Sequence, residues 1–296
     1  MKNASPREIR DTIKQLNRMN LDDAHYSYIK KKIAFIWHGA VINVKPIAEG
    51  HRLYRGRLNP SEKPKHVKDL REPRADYVTG YQRCNSPRQP IFYCGTVPRT
   101  VRKELNVSDG DILYLSRWTV YRPFSILPLG SGDLDESSEL GLINTFFETK
   151  FSQPIHEIYS SQYKITAAIA ECLLGNLVEE VEMDNVPDFA KYGIGALGYP
   201  SVSDGYGSDN LAIKPHIVDN HIKLNYVEEL KVSLEEDSEP SFEKMDFSSK
   251  FDHGNIEWAG APLHYTISSP NKELRLTMER DGYVCRDKVG TIVEPG

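Results

Sequence analysis

The stretch GIGALGYPSVSDGYGSDN, residues 193–210, decides the fold class, because the six residues from Gly193 spell G-x-G-x-x-G. This pattern indicates a parallel, dinucleotide-binding sheet only where a strand precedes the first glycine and a helix begins at the third. Pro187 interrupts the residues before the stretch, and Pro200 with further glycines interrupts those after it, so neither flank is predicted to form the required element. We therefore predict a tight turn that presents Ser201; the alternative is a simple surface loop.

Outward from this stretch, the chain shows both helical and strand patterns. Ser5 and Glu8 form a capping box around Pro6, which marks the start of a first helix. Apolar periodicity predicts helices over residues 6–18, 22–35 and 161–176, and a short helix that opens at Pro98. Alternation predicts strands over residues 51–56, 90–95, 112–118, 221–235, 263–268, 274–280 and 283–293, with acidic loops over 130–140 and 235–243. The predicted fold class is mixed α+β.

The composition excludes several classes of protein. The chain of 296 residues is long enough for one main domain with a sizeable core, and its formal charge of -5 gives no general attraction to nucleic acid or to anionic membranes. Residues 1–21 carry charges throughout, unlike a signal peptide, and no apolar run is long enough to span a bilayer. The four cysteines form neither a C-x-x-C pair nor a zinc-ligand spacing with histidine. We expect a cytoplasmic protein with reduced thiols and no metal.

Two arginines lie close together in the segment HRLYRGR, residues 51–57. Because side chains alternate along a strand, Arg55 and Arg57 share one face, and Gly56 between them allows a ligand to approach the backbone. Guanidinium groups bind phosphate through paired hydrogen bonds. The pair therefore predicts a phosphate contact; the alternative is two solvated surface arginines.

A tyrosine and a glutamate are placed to meet at one cleft. Tyr93 lies on the predicted strand IFYC, residues 91–94, and Glu104 lies eleven positions later on the helix that opens at Pro98. A helix that returns over the strand brings the two side chains together. The alternatives are a tyrosine of the core or its rim and a solvated glutamate.

Together these clusters resemble the RES domain, a family named for its arginine, glutamate and serine and found in bacterial toxin–antitoxin pairs. The resemblance covers about residues 48–220. The motifs that carry it are YRGR at 54–57, YQRCN at 81–85, IFYCG at 91–95 followed by Glu104, YKITAAIAECL at 163–173, and GYPS at 198–201 with NLAIKPH at 210–216. The chain departs from the family at Gln82, where the family often has glycine, and in its greater length.

The resemblance implies an ADP-ribosyltransferase-like β-sheet core with surrounding helices. It divides the chain into an N-terminal helical extension at 1–47, a RES-like catalytic domain at 48–220 and a β-rich C-terminal extension at 221–296. Members of the family cleave the bond between nicotinamide and ribose in NAD. By resemblance the catalytic residues are Arg55, Tyr93, Glu104 and Ser201. The residues expected to bind substrate are Arg57, Arg83, Asn85, Tyr199 and Asn210.

These residue types suit that reaction. Loss of nicotinamide passes through an oxocarbenium-like state, which a carboxylate such as Glu104 stabilises while it holds the ribose hydroxyls. We expect Arg55 to bind the pyrophosphate, Tyr93 to offer its ring to the nicotinamide, and Ser201 to donate a hydrogen bond to the nicotinamide ribose or its amide.

The expected function is therefore NAD degradation by a toxin or defence effector, with NAD as the substrate, no cofactor and no metal. The expected partners are phosphate as an acceptor and a cognate antitoxin protein; direct contact with nucleic acid or a membrane is not expected. Two alternatives remain open. One is transfer of ADP-ribose to a specific protein, and the other is a module that binds a nucleotide without cleaving it.

Overall fold

The computed structural model confirms a mixed α+β fold, in which a large, mostly antiparallel sheet is accompanied by helices. It describes residues 3–38, 40, 44–130, 135, 137–155, 157–175, 193–202, 209–234, 239–260, 264–269, 272–279 and 282–286. No helix in these ranges is both long enough and apolar enough to cross a membrane.

Six α-helices and three short 3-10 helices are described. The α-helices are α1 (Pro6–Asn17), α2 (Tyr26–Trp37), α3 (Pro98–Glu104), α4 (Glu139–Ser152), α5 (Lys164–Gly175) and α6 (Pro215–His221). The 3-10 helices are Val67–Leu70, Ala75–Tyr77 and Glu157–Tyr163. The predicted capping box is present, because Ser5 Oγ accepts from the Glu8 N–H and the Glu8 carboxylate accepts from the Ser5 N–H. Helix α2 begins later than predicted, because the residues before His25 form a turn.

Fourteen strands are described, and the predicted strands all correspond to one of them. They are β1 (Lys45–Ile47), β2 (Arg52–Leu58), β3 (Phe92–Gly95), β4 (Ile112–Val120), β5 (Phe124–Pro128), β6 (Ile194–Pro200), β7 (Asp209–Ile213), β8 (Ile222–Ser233), β9 (Ser241–Ser248), β10 (Lys250–Asp252), β11 (Asn255–Glu257), β12 (His264–Ser269), β13 (Lys272–Glu279) and β14 (Gly282–Arg286). Strand β14 corresponds to the first residues of the strand predicted over 283–293, and residues 287–293 of that prediction lie outside the described ranges.

The chain forms two compact units. Unit 1 comprises Met1–Arg55, Arg71–Leu105 and Trp118–Lys223, and unit 2 comprises Gly56–Leu70, Asn106–Arg117 and Leu224–Gly296. In unit 1 the strands β1, β5, β6, β7 and β3 are hydrogen-bonded in that order, and β3 pairs with the part of β2 up to Arg55. In unit 2 the part of β4 up to Arg117 neighbours the part of β8 from Leu224, β8 pairs with β9, and β10-β11 and β12-β13-β14 form two smaller sheets. The three-segment division at 47 and 220 remains a prediction.

The two N-terminal helices belong to the core of unit 1. Helix α2 packs on α5, and α1 packs on α4. The apolar side chains of Ile9, Leu16, Ile29 and Ile33 are buried, at 1% exposed or less. Helix α5 is apolar around most of its surface, which is typical of a helix enclosed by other elements.

The glycine-rich stretch is a strand, so the predicted turn is wrong for residues 194–200. Strand β6 pairs in parallel with β5 and antiparallel with β7. All its residues but the last are buried, and a Cβ atom at Gly195 would lie 3.1 Å from Ile217 and 3.2 Å from Phe124. Glycine is needed there because other elements pack closely on the strand. Among the described glycines of this stretch, only Gly193, with a φ of 62°, occupies the left-handed region that favours glycine.

The two predicted acidic loops are only partly confirmed. Helix α4 begins at Glu139, because the Ser138 hydroxyl accepts from the Gly141 N–H as an N-cap, and residues 131–134 and 136 lie outside the described ranges. Strand β9 begins at Ser241, inside the loop predicted over 235–243, of which residues 235–238 are likewise outside the described ranges.

Candidate functional site

A carboxylate at the end of α3 is held by two neighbouring strands of unit 1. Pro98 occupies the first turn of α3, and the helix ends at Glu104 because Leu105 is extended. Glu104 Oε1 accepts hydrogen bonds from Ser201 Oγ at 2.5 Å and from Asn210 Nδ2 at 2.8 Å. Ser201 directly follows β6, and Asn210 lies in β7 opposite Tyr199. Three of the predicted site residues therefore meet in one hydrogen-bonded group.

The geometry leaves part of this carboxylate accessible. Glu104 is exposed, whereas Ser201 is only 6% exposed, so a buried donor holds a surface acceptor. Both donors bind Oε1, and Oε2 receives no hydrogen bond from any residue that the structure describes. A carboxylate at a helix C-terminus also faces the negative end of the helix dipole, which the two donors offset. Oε2 is thus available to accept hydrogen bonds from a ligand.

Tyr93 shares a sheet face with Asn210 and Tyr199. Gly95 pairs with Asn210 across β3 and β7, and Asn210 pairs with Tyr199 across β7 and β6. Opposite residues of an antiparallel pair lie on the same face, as do residues two positions apart in one strand. Helix α3 approaches this face at Gly95, where a Cβ atom would lie 3.1 Å from Val101. The absence of a side chain at Gly95 therefore allows α3 to carry Glu104 close to the strands.

The Tyr93 hydroxyl is fixed from two sides. It donates to Asn85 Oδ1 at 2.6 Å and accepts from the Cys84 N–H at 2.8 Å. Burial, followed by the Cys84 thiol, raises the pKa of Tyr93 well above its ordinary value. Asn85 itself is only 1% exposed. Tyr93 is therefore a neutral phenol of fixed orientation, and the buried Asn85 side chain accepts the hydrogen bond that fixes it.

Tyr199 and Arg83 lie next to this tyrosine. Tyr199 is 5% exposed, and burial, followed by Cys84 and Tyr93, raises its pKa well above the ordinary value. Arg83 donates to the carbonyl oxygens of Phe151 and Gln153 and so satisfies the C-terminal end of α4. Both residues therefore make contacts within the protein, and their predicted contact with substrate remains a prediction.

The two arginines of the YRGR motif lie elsewhere. Tyr54 pairs with Gly95, so Arg55 points to the opposite face of the sheet from Tyr93. Its guanidinium lies 5.1 Å from the ring centre of Phe92 and donates to the Tyr93 carbonyl oxygen at 2.7 Å. Arg57 is exposed in unit 2 and donates to the Asp69 carbonyl oxygen. Arg55 therefore lies on the sheet face opposite Tyr93, and the predicted phosphate contact of Arg55 and Arg57 remains a prediction.

Other polar residues have notable environments that the sequence analysis did not single out. Lys30 forms an ion pair with Glu171, and Lys214 is buried although it carries a charged group. The signal in the sequence for Lys214 is its place at the end of the apolar run LAI, directly before a proline. Within the described part of the chain, no group of three or more His, Cys, Asp or Glu side chains is arranged to hold a metal ion.

Neither a protein-family model nor a curated protein sequence matches the chain.

Proposed function

We propose that the protein degrades NAD by cleaving the bond between nicotinamide and ribose, as a glycohydrolase or a phosphorylase. The observation that carries the proposal is the Glu104 carboxylate. Its Oε1 accepts hydrogen bonds from Ser201 and Asn210, while its Oε2 accepts none from the residues that the structure describes. Tyr93 lies on the same face of the sheet. The motifs shared with the RES family support the same reaction.

The arrangement suits a reaction at the ribose C1 atom. As the C1–N bond to nicotinamide breaks, positive charge develops on the ribose, and a nearby carboxylate stabilises it. Oε2 of Glu104 would accept hydrogen bonds from the ribose hydroxyls, while Ser201 and Asn210 hold the carboxylate in place. Water or phosphate then forms a C1–O bond and loses a proton, and nicotinamide leaves as a neutral base.

Tyr93 would present its ring to the nicotinamide, because both faces of a ring can stack on a planar aromatic ligand. With its pKa raised, it remains protonated and cannot act as a base at neutral pH. Arg83 supplies positive charge beside Tyr93 and Tyr199 and would favour the pyrophosphate. The proposed core is ADP-ribosyltransferase-like, and the proposed biological role is that of a cytoplasmic toxin or defence effector restrained by an antitoxin protein.

The test is to incubate purified protein with NAD, with and without phosphate, and to follow nicotinamide release. We expect release by the wild type, with ADP-ribose as the product in water and a phosphorylated ADP-ribose as an additional product in phosphate. Glu104→Gln should reduce kcat/KM by at least a hundredfold. Ser201→Ala should reduce it about tenfold or more, because a hydrogen bond to a charged group contributes about 1.5–3 kcal/mol.

The matched control is Glu49→Gln, which neutralises an exposed glutamate that takes no part in the hydrogen bonds of Glu104 and should leave the rate unchanged. Absence of nicotinamide release by folded wild type in both buffers would refute the enzymatic function and favour a nucleotide-binding module. Label from NAD that stays on a protein band, instead of appearing in free ADP-ribose, would favour ADP-ribosyl transfer to a protein.

A further inference from the structure

A cavity of about 370 Å³ lies in unit 1, beside the start of β3 and the end of α5. Its volume falls in the range of small-molecule sites, which is about 300–1,000 Å³. The polar and charged side chains that line it are those of Lys30, Asn85, Gln89, Glu171, Lys214 and His216.

Lys214 presents an unsatisfied charge at this cavity. The backbone N–H and carbonyl groups of Lys214 are both hydrogen-bonded. The N–H donates to the Gly195 carbonyl oxygen at 3.1 Å, and the carbonyl oxygen accepts from the Ile217 N–H at 3.0 Å. The residue is 8% exposed, and its Nζ is buried with no hydrogen-bond partner among the residues that the structure describes. Buried ammonium groups are ordinarily paired, so an isolated one indicates a missing partner.

The nearby carboxylate does not supply that partner. Glu171 Oε2 accepts from Lys30 Nζ at 2.8 Å, and Glu171 Oε1 accepts from the Ser86 N–H at 3.2 Å. Glu171 is thereby committed to Lys30. Among the described residues, the cavity therefore holds one neutralised pair, the amide groups of Asn85 and Gln89, and one positive charge without a counterion.

We propose that this cavity binds a small anionic molecule through a phosphate or carboxylate group placed on Lys214 Nζ. An oxyanion there would accept hydrogen bonds from the ammonium and from the side-chain amides of the cavity wall. The remaining volume accommodates a ligand body larger than inorganic phosphate. The ligand would balance the charge of Lys214, which no described residue pairs.

This site is separate from the group around Glu104. Asn210, which contacts Glu104, lies at one end of β7, and Lys214 follows the other end. Four residues of extended chain span about 13 Å. The inference therefore does not depend on the proposed reaction with NAD, although Asn85 lines the cavity and also accepts from Tyr93.

The test is calorimetric titration of the whole chain with inorganic phosphate and, separately, with acetate, at matched ionic strength in chloride. The variants are Lys214→Met, which keeps the length of the side chain and removes its charge, and Lys31→Met, an exposed lysine on α2, as the control. We expect Lys214→Met to weaken binding at least tenfold, and Lys31→Met to leave it unchanged. Tighter binding of phosphate or of acetate identifies which oxyanion the site prefers.

A third variant, Glu104→Gln, distinguishes this site from the proposed active site, where phosphate could also bind. We expect it to retain the phosphate or acetate binding that Lys214→Met loses. Equal binding by wild type and Lys214→Met, with both shown to be folded by circular dichroism, would overturn the proposal. Absence of any binding by the wild type at tens of millimolar of either anion would overturn it as well.

Discussion

Asn85 orients Tyr93 without reaching the surface, and this makes the pair a test of how the site is built. Because the Tyr93 hydroxyl bonds both Asn85 Oδ1 and the Cys84 N–H, removing Asn85 leaves a buried hydroxyl without its acceptor. We expect Asn85→Ala to lower the free energy of unfolding by about 1–3 kcal/mol. Tyr93→Phe should lower the free energy of unfolding less in the Asn85→Ala background than in the wild type.

A double-mutant cycle measured by urea denaturation checks this pair. The coupling free energy between Asn85→Ala and Tyr93→Phe should lie at about 0.5–3 kcal/mol, the range for residues in contact. Additive effects of the two substitutions would mean that the hydrogen bond between them contributes nothing to stability. In nicotinamide release, Asn85→Ala should raise KM if it loosens the Tyr93 ring.

At the scale of elements, the position of α3 depends on the missing side chain at Gly95. A Cβ atom there would lie 3.1 Å from Val101 Cγ2, so Gly95→Ala should push α3, and with it Glu104, away from Ser201 and Asn210. We expect a loss of about 1–3 kcal/mol in stability from overpacking. The rate of nicotinamide release should fall more than tenfold.

Two further variants separate this effect from general destabilisation. Gly80→Ala places its Cβ atom no closer than 3.9 Å to Ser160 and should leave the rate of nicotinamide release near that of the wild type. In the double variant Gly95→Ala, Val101→Ala, the two methyl groups removed from Val101, Cγ2 among them, make room for the new methyl group, so the rate should recover. If it does not recover, the position of α3 is not what limits the reaction.

The elements that local signals specify are those that the sequence predicts best. Helix α1 follows from its capping box and Pro6, and the start of α3 follows from Pro98. Strand β6 is not predicted because its glycines are typical of a turn, whereas close packing by Ile217 and Phe124 requires glycine at position 195 within the sheet. Helix α4 has a weak amphipathic pattern, since buried residues occur around much of it, and no helix was predicted there.

At the scale of the whole molecule, the composition of the site is likewise predicted only in part from the sequence. The resemblance groups Glu104, Ser201 and Asn210, and the structure brings them into hydrogen-bond contact. The resemblance also groups Arg55 with Tyr93, which strand register places on opposite faces of the sheet. Register depends on pairing between distant segments and reverses with a shift of one residue, so a single sequence does not reveal it.

The charge on Lys214 also makes the stability of the whole molecule depend on pH. Burial lowers the pKa of Lys214 from 10.5 to about 8 in the folded protein. Between these values the unfolded chain binds more protons than the folded one, so the contribution of Lys214 to the free energy of unfolding rises with pH. Full protonation of the buried group below pH 8 costs about 3 kcal/mol.

Lys214→Met should therefore be more stable than the wild type at pH 7, and this advantage should shrink by about 2 kcal/mol as the pH rises to 9.5. Urea denaturation of both proteins across this range measures it. The Lys30–Glu171 pair, Tyr26 and Cys84 are common to both proteins, so their titration cancels in the difference. Burial, followed by the charge of Lys214, lowers the pKa of His216, so in Lys214→Met this pKa returns toward its ordinary value of 6.5, which lies below the measured range. A difference that stays constant from pH 7 to 9.5 would mean that Lys214 is not a buried, unpaired ammonium in solution. Saturating phosphate should reduce the difference in free energy of unfolding at pH 7, because a bound anion would supply the counterion that Lys214 lacks among the described residues.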